Sequence, residues 1–149
     1  MLVAAGESPR LRSHKNLHDS LEDPIQRLLI AVKRGSYFRP HKHEHKFETL
    51  LCLRGRMDVL IFEDSSRLKQ RITVGPNEAV VVLEISANTW HTLISLDDEV
   101  VFFETKPGPY DAKHPADFAA WAPEENPGSE VVAAFLHKLT NLSSGEMAG

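Results

Sequence analysis

The chain has 149 residues, 42 % of them hydrophobic and 26 % charged, which suits one domain with a real core and no need of staples. A formal net charge of -4, with Lys and Arg scattered among acidic residues, gives no footprint for nucleic acid or an anionic membrane. Cys52 is the only cysteine, which excludes an intrachain disulfide and a Cys-rich zinc module.

No apolar run reaches the roughly 18 residues of a membrane helix. The N-terminus lacks the basic start and apolar stretch of a signal peptide, so a cytoplasmic location is expected. Residues 1–24 read as a polar, irregular extension closed by Asp23-Pro24.

From Gln26 onward, short apolar runs alternate with turn residues. The strand candidates are Arg27 to Lys33, Thr49 to Leu53, Met57 to Ile61 and Ile72 to Val74. Ala79 to Ile85, His91 to Leu96 and Val100 to Thr105 follow, with Glu63 to Ser66 and Asp97 to Glu99 as turns between strands. Short strands rich in β-branched residues, evenly spaced and without helical patterning between them, predict an all-β antiparallel sandwich or barrel over 25–110.

The pattern changes after Lys106-Pro-Gly-Pro-Tyr110. Over 111–149 the reading is a helical cap and tail. Ser129 serves as N-cap and Val131, Val132, Phe135, Leu136 and Leu139 form an apolar stripe. Trp90 is expected to pack between layers, Trp121 and Phe118 to pack the helical cap on the sheet, and Ser143 to Gly149 to fray.

One segment carries chemistry. In Gly35-Ser-Tyr-Phe-Arg-Pro-His41-Lys-His43-Glu-His45-Lys-Phe-Glu48, His41 and His43 share a strand face. Glu48 is out of phase with them, so a turn around Glu44 to Lys46 is required to bring it alongside from a neighbouring strand. That turn moves His45 to the rim. Imidazoles and a carboxylate suit a divalent Fe, Mn, Ni, Cu or Zn ion. On spacing alone, a metal site and a solvated His-x-His strand face are about equally supported.

Gly35, His41, His43, Glu48 and Gly55 fill every fixed position of the first cupin motif, G-x5-H-x-H-x3or4-E-x6-G, and the chain resembles that superfamily. The second motif would supply His91 as a further ligand, with Ser86, Asn88 and Ser95 standing where Pro, Gly and Asn are usual. Asn88 can still turn the chain, because Asn tolerates a left-handed backbone. Asn16-Leu-His18, Trp90-His91, Phe103-Glu104, Lys106-Pro-Gly-Pro-Tyr110 and Phe118 to Glu124 make the chain similar, more closely, to WbuC-type cupin-fold metalloproteins.

That resemblance implies a cupin double-stranded β-helix, a jelly-roll-like barrel with a C-terminal helix. It also implies one metal on His41, His43, Glu48 and His91, and often a homodimer. The family's neighbourhood in O-antigen and surface-polysaccharide clusters implies a small polar metabolite, such as a sugar or nucleotide sugar, as ligand. Isomerase or epimerase chemistry, an iron dioxygenase, or a non-catalytic sensing module would each fit. Tyr37, His45 and Glu104 are the further catalytic candidates. Tyr37 shares the parity of His41, and Glu104 is either a buried base or the partner of Arg27 or Lys106.

Overall fold

The computed structural model describes residues 1–149. In chain order its elements are α1 (Leu2–Glu7), β1 (Arg12–Asn16), β2 (Ile25–Lys33), β3 (His41–Lys42), β4 (Glu48–Arg54), β5 (Met57–Phe62) and β6 (Leu68–Val74). β7 (Val82–Ile85), β8 (Trp90–Ser95), β9 (Glu99–Pro107), β10 (Asp117–Phe118) and α2 (Glu130–Asn141) complete them. Two five-stranded sheets result, ordered β1-β2-β9-β4-β7 and β10-β3-β8-β5-β6, with every strand pair antiparallel.

The strands fall close to where the apolar runs predict them. The larger corrections lie outside the runs. Residues 1–24 are not irregular: β1 pairs with β2 along its whole length and α1 buries Ala5 completely. Their polar composition hides this, because an edge strand and a one-sided short helix bury few side chains.

Side-chain alternation separates a core end from a polar end. On β9, Val100, Phe102 and Glu104 face inward and are buried; on β4, Cys52, Leu50 and Glu48 do so in the opposite chain direction. The apolar members join Ile30, Val32, Met57, Val59, Val74, Ile85 and Leu93 between the sheets. Glu48 and Glu104 therefore sit together beyond the apolar core, where that stripe runs out.

The second sheet is buried on both faces. Leu60, Phe62 and Ile94 point outward into a second core, where Tyr37, Trp121, Phe135, Leu136 and Leu139 cover them. α2 forms from the predicted stripe, with two differences. Val131 is 66 % exposed, and Ser129 makes no side-chain capping hydrogen bond.

The far end of α2 is held by β6. Arg71 donates to the carbonyls of Leu139 and Leu142 at 2.7 and 3.0 Å, and pairs with buried Asp58 at 2.6 Å. Thr73 donates to the other Asp58 oxygen. Arg71→Met leaves the Asp58 charge without its cation, which costs about 3 kcal/mol when a buried pair loses one partner. Urea denaturation of the variant should show that loss; a change below about 1 kcal/mol would mean the link contributes little.

The tail differs most from expectation. It does not fray: Gly145 and Ala148 donate to the carbonyls of Leu68 and Ser66, Leu68 donates to Glu146, and Ala148 is buried. The segment runs antiparallel to the start of β6, bridging Met147 to Arg67.

Candidate metal centre

β3 is two residues long and ends in the turn that the parity of Glu48 requires. His41 lies opposite His91 of β8, so the two imidazoles stack with ring centres 4.4 Å apart. The carbonyl of His43 accepts from the Asn88 N–H, and Asn88 takes a left-handed φ of 56. Asn thus makes the turn that places His91, as expected.

One ligand atom each from His41, His43 and Glu48 lies within 4.8 Å of the others. His91 reaches the same carboxylate, its Nε2 at 2.8 Å from Glu48 Oε2. The Nδ1 atoms of His41 and His91 are engaged by the carbonyls of Arg39 and Thr89, both at 2.9 Å, so each ring offers Nε2. His43 Nε2 approaches Glu48 Oε1 to 3.0 Å without the alignment of a hydrogen bond, and is buried with no other partner.

Carbonyl-anchored imidazoles and an unpartnered ring nitrogen facing a carboxylate are the arrangement that a divalent transition ion fits. His41, His43 and Glu48 could hold it directly, with His91 beside them. Burial, reinforced by the neighbouring His91, lowers the His41 pKa to about 3. Burial alone would raise that of Glu48, but the two imidazoles and Lys106 outweigh it and hold the carboxyl well below its usual range.

Lys106 is the residue whose part in the centre is not visible in sequence. Its Nζ lies 2.8 Å from Glu48 Oε1 and 3.0 Å from Glu104 Oε1. Burial opposes its charge, yet the two carboxylates outweigh burial and raise its pKa. Glu104 is raised by burial and then by Glu48, with Lys106 pulling the other way. Of the two partners open to Glu104 in the sequence, the structure selects Lys106; Arg27 faces Asp23 instead, at 3.9 Å.

The remaining candidates lie elsewhere. The Tyr37 hydroxyl donates to the Pro123 carbonyl at 2.9 Å and its ring meets Phe135 edge-on, in the core under α2. The His45 side chain is 84 % exposed, at the rim. Phe118, expected to pack the helical cap on the sheet, is 46 % exposed, because β10 pairs with β3 and sets it against His41 at 6.2 Å. Trp90 does pack against the second core, its indole N–H on Asp64.

A cavity of about 330 Å³ opens on the centre, lined by Phe38, Arg39, His41, His43, Lys106, Tyr110 and Phe118 among others. Tyr110 reaches it from the Pro107-Gly108-Pro109 bend. A second space of about 280 Å³ shares Arg12, Phe38, Lys106 and Tyr110 with it. Another cavity, about 580 Å³, lies between α2 and the loop before β1 and touches none of the clustered histidines.

Residues 1–74, just under half of the chain, match the family described as a domain of unknown function, DUF6016. No curated protein sequence matches significantly. Among solved structures, the capsular polysaccharide assembling protein CapF from Staphylococcus aureus superposes with a TM-score of 0.61 at 19 % identity, over 71 % of this chain and 29 % of CapF. The chain thus spans under a third of CapF. A cupin superfamily protein from Desulfitobacterium hafniense gives 0.51 at 17 % identity, covering 64 % of this chain and 76 % of that one. Recombinant oxalate oxidase in complex with glycolate gives 0.53 at 14 %, covering 68 % and 53 %. Sheet order, the inward carboxylates at one barrel end and these likenesses agree: the protein folds as a cupin, two antiparallel sheets closed on one core with a C-terminal helix against the second.

Proposed function

We propose that the protein is a metal-dependent cupin acting on a small polar metabolite of the sugar or nucleotide-sugar class, in the cytoplasm, in surface-polysaccharide synthesis. The observation that carries the reading is the convergence of His41, His43 and Glu48 within 4.8 Å, with His41 and His43 lining the cavity and His91 on the same carboxylate. The sequence likeness to WbuC-type proteins and the fold likeness to CapF support the metabolite class, and the buried free thiol of Cys52 suits a reducing compartment.

A divalent ion bound there would supply Lewis-acid polarisation of a ligand carbonyl or hydroxyl. The chain's own residues orient the ligand and shield it. Phe38, Phe118 and Tyr110 give the cavity an apolar wall, and about 330 Å³ suits a small metabolite. Lys106, kept charged by two carboxylates, presents an ammonium to oxygen that gains negative charge. Glu104 does not line the cavity; it positions Lys106.

The test is turnover. Metal-loaded protein is screened against sugars and nucleotide sugars by thermal shift, with product analysis of every hit. Conversion of at least one compound, lost in a His41→Ala/His43→Ala variant, is the expected result. Binding without conversion across Fe, Mn, Ni, Cu and Zn would replace the enzyme reading with the sensing module.

A further inference from the structure

The cavity over the centre has an unequal charge balance. Its wall carries Arg10, Arg12, Arg39 and Lys106 against one carboxylate, Glu125. Glu125 is fully occupied: Oε2 lies 2.6 Å from both Arg10 and Arg12, while Oε1 accepts from Arg12 at 2.8 Å and from the Arg39 backbone N–H at 3.2 Å. Lys106 is shared between Glu48 and Glu104.

Arg39 is different. Its nearest carboxylate, Glu124, is 3.8 Å away on a side chain that is 88 % exposed. One guanidinium nitrogen donates to the Ala119 carbonyl at 3.0 Å, and Nε is buried with no hydrogen-bond partner. The Phe118 ring lies 5.5 Å from the guanidinium centre and 6.2 Å from the His41 ring.

A guanidinium fork matches carboxylate and phosphate oxygens better than neutral hydroxyls. A divalent cation on Glu48 would make the same wall more positive. We propose that Arg39 anchors a carboxylate or phosphate group on the ligand of this cavity, so that the metabolite is a sugar acid or a phosphorylated sugar rather than a neutral sugar.

This inference rests on reading the cavity as the ligand site, and does not require the metal. The experiment is calorimetric titration of the whole chain with glucose, glucuronate and glucose 6-phosphate, with metal content measured on the same samples. At least one anion should bind tenfold or more tightly than glucose, and which one does identifies the group. Arg39→Gln should remove that preference at least tenfold with metal content unchanged, whereas Arg39→Lys, which keeps charge but not the fork, should fall between.

Equal affinity for glucose and both anions, or no binding by any of the three, overturns the proposal; so does a folded Arg39→Gln variant that keeps the preference. If that variant does not fold, the comparison on the unaltered chain decides. Arg39-dependent anion binding by a chain that takes up no metal would keep this inference and remove the metal reading. Metal uptake with indifference to ligand charge would do the reverse.

Discussion

The His41→Ala/His43→Ala variant should purify with less than about a tenth of an equivalent of transition metal, against about one for the unaltered chain. The effect is large because it removes two of the three atoms that converge within 4.8 Å and leaves Glu48 to its Lys106 partner. His91→Ala should behave differently. Its Nε2 meets Glu48 at 2.8 Å but falls outside the compact trio, so affinity should drop by roughly 10–100-fold, the usual cost of losing a group that supports a ligand. Elemental analysis and a competitive chelator titration measure both, with circular dichroism to confirm folding. Unchanged metal in the double variant would dispose of the centre; a His91→Ala loss as complete as that of the double variant would make His91 a full ligand.

Gly55→Ala should be a strongly damaging small substitution, at a position the motif fixes for backbone reasons. Gly55 has φ 69, and an added Cβ would stand 2.2 Å from the Glu99 carbonyl oxygen, where β4 turns into β5 against the start of β9. A left-handed alanine costs about 1–2 kcal/mol by itself, and the backbone collision raises the total to about 3 kcal/mol or more. In a chain of this size that lowers Tm by roughly 10 °C. Gly128→Ala is the matched control: φ is 80, but nothing lies within 4 Å. Scanning calorimetry should give the control only the conformational cost. Equal losses in the two variants would mean that β9 yields to the new methyl group.

The contrast between His43 and Lys106 shows what sequence can and cannot deliver. His41, His43 and Glu48 lie within eight residues, so strand parity alone demands the turn that the structure contains. Lys106 is 58 residues from Glu48, and only the pairing of β4 with β9 brings them together. No local periodicity encodes that. β1, β10 and the tail were illegible for a related reason: each gains its place by backbone hydrogen bonds to an edge, and such bonds leave little trace in side-chain patterning. Phe118 misleads because an aromatic residue predicts burial, while its partner strand holds it over an open cavity.

The docked segment from Gly145 to Ala148 has a consequence for handling the protein. β6 ends its sheet, and a bare sheet edge is a template on which another chain can add a strand. The tail occupies the first residues of that edge, and Gly149 donates to the Ser66 hydroxyl beside the Trp121 side chain. Clipping these few residues by protease would leave the histidine cluster untouched while uncovering both an unpaired backbone and Leu68. Self-association of a nicked but still metal-competent preparation would then report the loss of a cover, not of the fold.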